Sequence, residues 1–205
     1  MGVFILDMIE TLVMALAVFV IVYLFLFQPH QVRGSSMYPN FHDGEYILTD
    51  KISYRLGEPK RGDVVVFRAP RNEEYDYIKR IVGLPGDTIR IDGGRIFLNN
   101  SLINEAYLPK DHITSAGGFI KAGQIATVPK EQYFVLGDNR NHSSDSREWG
   151  FVPKENIIGK AWLRYWPPER FGKIKEVELN SLTDKPSVDL INPLLGFKKT
   201  SFQSN

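Results

Sequence analysis

The chain has 205 residues, enough for one domain with an appendage or for two small domains. Hydrophobic residues make up 43% of it, which excludes wholesale disorder, and the net charge of +1 argues against a nucleic-acid binder that relies on a basic face. The absence of cysteine excludes a disulfide scaffold, a thiolate zinc site, an iron–sulfur cluster and a cysteine nucleophile.

The first predicted element is a long apolar segment at the N-terminus. Residues 3–27 are apolar apart from Asp7 and Glu10, and residues 11–27 carry no charge. As a helix, the longer stretch would span roughly 37 Å, which suits a bilayer. A buried core helix fits poorly because the tract is apolar all round, and a cleaved signal peptide fits poorly because no basic region precedes it. We therefore predict a single transmembrane anchor over residues 1–27.

The orientation of this anchor is not decided by the charges that flank it. No lysine or arginine precedes the tract and Arg33 follows it. Counted literally, the positive-inside rule places the C-terminal part in the cytoplasm, but long following domains translocate largely regardless of charge.

The remainder of the chain has the sequence pattern of a β protein. Short runs rich in β-branched and aromatic residues alternate with turn residues, and Asp92-Gly93-Gly94 is a hairpin signal between two of them. The predicted strands are 45–49, 63–68, 75–82, 87–91, 95–99, 124–128, 132–136 and 161–165, with short helices at 51–56 and 154–158. The fold class predicted is mainly β, an antiparallel sheet behind one transmembrane helix.

Ser36 is the first candidate for chemistry. It follows Gly34 and stands shortly before Pro39, where the backbone can bend sharply and aim N–H groups at one point, as an oxyanion hole requires. Taken alone, the stretch is more typical of an ordinary polar turn.

Lys79 is the second candidate. The alternation of the predicted strand puts Tyr77, Lys79 and Ile81 on one face and Ile78 with Arg80 on the other, and both faces are largely apolar. A cation near apolar surface must be paired or lose its proton, and a lysine whose pKa falls from ~10.4 to ~8 can act as a general base. A lysine on an edge strand that extends to solvent is the alternative interpretation.

A dense polar loop over residues 137–147 is the third candidate. A calcium loop is disfavoured because the glycine and terminal glutamate of an EF-hand are missing. A zinc site is disfavoured because His142 has no second histidine or carboxylate at a recognised spacing, so we predict no metal and no cofactor.

Together these residues resemble the motif blocks of bacterial type I signal peptidases, in the family's order. The blocks are Ser36-Met37-x-Pro39, residues 61–67, Lys79-Arg80-x-Val82-Gly83-Leu84-Pro85-Gly86-Asp87, and Gly137-Asp138-Asn139-Arg140 with Ser143-x-Asp145-Ser146-Arg147. The resemblance implies a membrane-bound serine endopeptidase with a Ser–Lys dyad. It would remove signal peptides from exported preproteins after small residues of the Ala-x-Ala type.

The resemblance also implies roles for single residues. Ser36 matches the nucleophile and Lys79 the general base. Gly34 takes a position where some relatives supply an oxyanion hydroxyl, so a second donor would be a backbone N–H or water. The remaining matches are Ser143, which would orient the base, the pocket residues Val32, Met37 and Ile78, and the structural residues Asp145, Arg147 and Asp138.

The implied organisation is an anchor at 1–27 and a catalytic domain at 28–170 with a small inserted β subdomain at about 88–132. The polar composition from about residue 180 predicts that the extension at 171–205 is poorly ordered or serves as a docking strand. Extended substrate would add as a strand near residues 31–33 and 76–78. The implied partners are preprotein signal peptides and the lipid bilayer, with the secretion translocon as a further candidate and no nucleic acid. The catalytic domain would face the exported side, against the literal charge count.

Three alternatives remain open from the sequence. One is a specialised Ser–Lys processing peptidase with a single dedicated substrate. Another is a membrane-tethered module that binds signal sequences without activity. If Lys79 were not the base, His42 or His142 would be the next candidate.

A penicillin-binding enzyme is excluded because it needs Ser-x-x-Lys, and Pro39 stands at that offset from Ser36.

Overall fold

The computed structural model describes residues 2–70 and 72–179. It begins with one long helix, α1 (Gly2–Phe25), whose residues 4–23 have a mean hydropathy of 2.5 and include no buried residue. A helix that is apolar all round and unpacked has the length and composition of a membrane span.

Twelve strands follow within the described residues, and all their pairings are antiparallel. In chain order they are β1 (Phe27–Gln31), β2 (Tyr46–Asp50), β3 (Val64–Ala69), β4 (Asn72–Gly83), β5 (Thr88–Asp92), β6 (Arg95–Leu98), β7 (Ser101–Leu102), β8 (Ile125–Thr127), β9 (Gln132–Leu136), β10 (Val152–Pro153), β11 (Ile157–Trp166) and β12 (Gly172–Lys173). The predicted fold class, an apolar N-terminal helix followed by antiparallel β-sheet, is confirmed.

The strands form two sheets. The large sheet has the order β1-β2-β11-β3-β4-β9-β10, with β12 paired to β11. The small sheet has the order β7-β6-β5-β8 and takes all its strands from residues 88–127. These residues fall within the predicted insertion, whereas the division into domains remains a prediction.

Apolar side chains from these strands form three buried clusters. One joins the small sheet to the large one through Val82 and Phe134. A second lies beneath Ser36 and contains Val32, Met37 and Ile47. The third cluster fills the other face of the large sheet. The segment that bears Ser36 therefore lies on a packed floor.

The short helices differ in part from the prediction. Helix α2 (Ser53–Leu56) lies inside the predicted 51–56, whereas the helix predicted over 154–158 is a single 3₁₀ turn (Lys154–Asn156) followed by the start of β11. Helix α3 (Ser146–Trp149) was not predicted, because its residues belong to a stretch whose sequence has the composition of a loop.

The C-terminal segment also differs from the prediction where it is described. Residues 171–205 were predicted to be poorly ordered, but β12 pairs with β11 and Leu179 is only 5% exposed against the cluster of the small sheet. The apolar character of Val177 and Leu179 explains this packing. The rest of the predicted extension, residues 180–205, lies outside the described residues.

Candidate active site

Lys79 lies near the middle of β4 and is buried, with 4% of its surface exposed. Its Nζ donates hydrogen bonds to Ser36 Oγ at 2.8 Å and to the Ile78 carbonyl oxygen at 2.9 Å. The ring centroid of Tyr77 lies 5.5 Å from the same nitrogen. The strand thus presents a buried amine to one hydroxyl, 43 residues away in sequence.

The electrostatics of this pocket favour the neutral amine. Burial lowers the pKa of Lys79 to about 8, although the charges of Asp145 and Asp138 oppose the shift. A lysine with that pKa is partly unprotonated near neutral pH and can accept a proton from a hydroxyl within hydrogen-bond reach.

The segment that carries Ser36 is a tight turn between β1 and β2. Gly34 has a φ of +83°, in the left-handed region that favours glycine, and its N–H donates to Asp43 Oδ1 at 2.7 Å. The Tyr38 N–H donates to the Ser35 carbonyl at 3.1 Å and closes the turn around Ser36. Because the Gly34 N–H is already bonded to Asp43, it does not serve as an oxyanion donor in this geometry.

Asn139 fastens this turn to the polar loop. Its backbone N–H donates to the Ser36 carbonyl at 3.0 Å, and its side chain donates to the Ser35 carbonyl at 3.0 Å. Asn40, at the other end of the turn, donates to Asp138 Oδ2 at 2.8 Å. The segment that carries Ser36 is therefore fixed from both ends by residues about 100 positions later in the chain.

Buried ion pairs hold the polar loop itself. Arg147 forms a two-point contact with Asp145, at 2.8 Å from Nε to Oδ1 and 2.9 Å from Nη2 to Oδ2. Arg80 forms a similar contact with Asp138, at 2.9 and 2.7 Å. Paired guanidinium and carboxylate groups of this geometry are strong and directional, so they fix the loop beneath Lys79.

The position of Ser143 differs from the expectation. The resemblance predicts that its hydroxyl orients Lys79, but Ser143 Oγ is buried without a hydrogen-bond partner among the described residues. The bonds found for Lys79 Nζ go to Ser36 and to the Ile78 carbonyl. Gly137 keeps the loop close to the turn, because a Cβ there would collide with the Ser143 side chain and the Ser36 carbonyl oxygen.

Sequence reasoning missed several residues of this site. Arg80 was noted only as a second cation, and Asn40 and Asn139 were not singled out. Their partners are distant in sequence, so only the adjacency of Arg80 to Lys79 and the density of polar residues after Gly137 signalled them.

A cleft of about 260 Å³ opens beside the Ser36–Lys79 pair. Its apolar floor contains Val32 and Ile78, together with Ile47 and Val66, and the role of Val32 and Ile78 as substrate-pocket residues remains a prediction. Met37, the third predicted pocket residue, is buried in the core beneath, so it supports the floor from below. A shallow apolar floor of branched side chains suits small substrate side chains.

Two strand edges border this cleft. Among the described residues β1 pairs only with β2, and residues 72–79 of β4 pair only with β3. Each strand therefore has an edge free for a further strand. In the described part of the chain no group of three or more histidine, aspartate or glutamate side chains is arranged to hold a metal ion.

Comparison with known proteins assigns the family. The sequence profile of the family described as "Signal peptidase, peptidase S26" matches residues 5–166. The chain belongs to this family. A "Probable signal peptidase I-2" of Synechocystis is 37% identical over 172 residues, a match that covers 82% of this chain and 76% of that protein. It follows that the chain is a serine peptidase, a hydrolase, with an apolar helix that fits a membrane anchor.

Further relatives come from other bacteria. "Signal peptidase IB" of Staphylococcus aureus strain COL is 33% identical over 178 residues, which cover 82% of this chain and 92% of that protein. The crystal structure of a signal peptidase I from Enterococcus faecalis V583 is 31% identical, and it matches 51% of this chain and 97% of that chain with a TM-score of 0.43.

Proposed function

We propose that this chain is a membrane-anchored signal peptidase that cleaves exported preproteins after small residues, with Ser36 as nucleophile and Lys79 as general base. The observation that carries the proposal is the 2.8 Å hydrogen bond between Lys79 Nζ and Ser36 Oγ, formed by a lysine buried at the end of an open cleft. Membership of the signal peptidase family supports the substrate class.

The proposed chemistry is an acyl transfer in two steps. Neutral Lys79 accepts the proton of Ser36 Oγ as the oxygen attacks the scissile carbonyl, and the resulting ammonium protonates the leaving amine. A water molecule then gives a proton to the same lysine and attacks the ester on Ser36, and as the ester C–O bond breaks the lysine returns that proton to Ser36 Oγ. The Ser36 N–H supplies one oxyanion donor, and because Gly34 N–H is bonded to Asp43, a second donor must come from another group.

Substrate recognition in this proposal uses the two free strand edges. The successive antiparallel pairings β1-β2-β11-β3-β4 give β1 and β4 the same direction. The proposal places an extended peptide parallel to both strands, with its cut bond at Ser36. Side chains of such a peptide alternate, which directs the first and third residues before the cut toward the floor. The floor of Val32, Ile47, Val66 and Ile78 favours alanine-sized side chains.

The proposed topology places the catalytic part on the exported side of the membrane, because signal peptides must be removed there. This topology is opposite to the one that the positive-inside rule gives, because the only flanking cation that the rule counts here is Arg33, which follows α1. The lipid bilayer is the proposed partner of α1, and the secretion translocon is a candidate neighbour in the membrane.

The test is cleavage of a preprotein with an Ala-x-Ala site by the detergent-solubilised protein, compared with Ser36→Ala and Lys79→Ala. We expect the wild type to cut after the second alanine, and both variants to lose about 10³-fold or more in kcat/KM. Between pH 6 and 10 the wild-type rate should rise along a basic limb with a midpoint near 8, the pKa of Lys79.

Other results would redirect the assignment. Retained activity in Lys79→Ala would remove Lys79 as the base and turn attention to His42 and His142. Cleavage of only one preprotein from an unrelated panel would favour the dedicated processing peptidase. Binding of signal peptides without cleavage would favour the inactive module.

A further inference from the structure

The cleft has a second polar end, away from Ser36 and Lys79. There the side chains of His30 on β1 and Asp76 on β4 meet across the space between the two free strand edges, with 3.3 Å between Nε2 and Oδ2. Both residues line the cleft, and the apolar floor lies between them and the Ser36–Lys79 pair. The established chemistry of the dyad does not use them.

The imidazole of His30 is held in place from its other side. Its Nδ1 lies 2.9 Å from the Thr49 hydroxyl, and Thr49 is fully buried on β2. With Nδ1 accepting from that hydroxyl, the proton of a neutral ring sits on Nε2, the nitrogen that lies 3.3 Å from Asp76 Oδ2. His30 is 13% exposed as a side chain and Asp76 36%, so the carboxylate is the member of the pair that substrate can reach.

The pair keeps a negative charge. Burial lowers the pKa of His30 below 6.5 despite the opposing influence of Asp76, so the ring is neutral at pH 7 and does not cancel the carboxylate. Arg33 also lines this cleft, and the charge of Lys51 contributes to the lowered pKa of His30. A carboxylate in a narrow cleft favours a cation or a hydrogen-bond donor in whatever binds there.

Strand geometry gives the substrate position that faces this charge. Asp76 precedes Lys79 by three residues, which is about 10 Å along an extended chain. A peptide parallel to β4, with its first residue before the cut at Lys79, brings its fourth and fifth residues before the cut to the level of Asp76.

We propose that Asp76, positioned by His30, is a specificity-determining residue that selects a cationic or hydrogen-bond-donating side chain at the fourth or fifth position before the cut. The inference rests on the proposed function and extends it from the small residues at the cut to the segment upstream of them.

The test uses synthetic peptides that share alanine at the first and third positions before the cut. The fourth and fifth positions are varied in turn among alanine, lysine, glutamine and glutamate, and kcat/KM is measured for the full-length protein in detergent. We expect the wild type to prefer lysine over glutamate about fivefold at one of these positions, a preference that shrinks as salt is added. In Asp76→Asn the ratio should fall to near one.

Glu74→Gln is the matched control, because Glu74 is an exposed carboxylate two residues earlier on the same strand and does not line the cleft. The lysine-to-glutamate ratio of this variant should equal that of the wild type. His30→Gln should weaken the preference, since the carboxylate loses its positioning partner.

The outcomes separate this inference from the proposed function. Cleavage of the alanine peptide with no preference between lysine and glutamate in the wild type overturns the inference alone. So does a preference that persists in Asp76→Asn. Failure of the wild type to cleave any peptide, the alanine reference included, overturns the proposed function and the inference with it.

Discussion

Lys79 carries an electrostatic cost in the candidate site, because burial disfavours its charged form. A buried ammonium loses hydration, and its interactions with Asp145 and Asp138 do not fully restore it, so the pKa stays lowered to about 8. The same desolvation that makes the amine a usable base must destabilise the folded protein whenever the amine is charged. Function and stability are therefore opposed at this residue.

We predict that Lys79→Met is more stable than the wild type at pH 7, by up to about 3 kcal/mol, because a pKa lowered from 10.5 to about 8 corresponds to that difference. Between pH 8 and 10.5 the unfolded chain binds the proton that the folded protein has released, so wild-type stability rises with pH across this window. The advantage of the variant should shrink over the same window.

Urea unfolding in detergent at pH 7 and pH 10, followed by tryptophan fluorescence, measures both effects. The exposed Lys173 on β12 provides the matched control, and Lys173→Met should gain nothing comparable. Equal stabilities of Lys79→Met and the wild type at pH 7 would contradict the desolvation argument.

At the residue scale, the sequence predicts those features that depend on neighbouring residues in the chain. Alternation in the strand around Lys79 placed two cations against apolar surface, and both Lys79 and Arg80 are indeed buried. The contacts of Asn139 with the Ser35 and Ser36 carbonyls could not be predicted, because they join positions about 104 residues apart through backbone groups that every residue has.

Among the elements, α3 depends most on one side chain. Asp145 is its N-cap, accepting from the Arg147 N–H, and the same carboxylate accepts from the Gly137 N–H at 3.1 Å. It also forms the two-point contact with the Arg147 guanidinium. One fully buried carboxylate thus joins the cap of α3, the end of β9 and the loop beneath Lys79.

Asp145→Ala should therefore cost about 3–5 kcal/mol in unfolding free energy, because it leaves the buried Arg147 without its partner and α3 without its cap. Asp92→Ala is the control, since Asp92 pairs with Arg90 while 55% of its side chain is exposed. Loss of that surface pair should cost less than about 1 kcal/mol. Denaturant titration of the two variants compares these costs, and equal losses would refute the structural role given to Asp145.

At the element scale, strands with β-branched runs were predictable and β1 was not. Its sequence, Phe27 to Gln31, is polar and contains Pro29, a composition that disfavours an interior strand. The fold accommodates it because β1 is an edge strand that pairs only with β2 among the described residues. The same edge position leaves β1 free to receive a substrate strand.

At the scale of the whole molecule, only a short stretch of chain separates α1 from the candidate site. Only Leu26 separates α1 from β1, and its carbonyl accepts from the Lys51 N–H at 3.0 Å, which ties the end of the helix to the large sheet. Ser36 follows five residues after β1 ends. If α1 spans the bilayer as proposed, this short, bonded junction keeps the cleft near the membrane surface.

The proposed topology predicts that residues beyond α1 are exposed on the exported side of the membrane. Because the chain contains no cysteine, a single substitution at the exposed Asp111 introduces a unique thiol for a membrane-impermeant maleimide. We expect Asp111→Cys to be labelled fully in intact bacterial cells, with no gain on permeabilisation, and the cysteine-free parent to remain unlabelled. Labelling only after permeabilisation would place the catalytic part in the cytoplasm, as Arg33 alone suggests, where it could not remove signal peptides from exported chains.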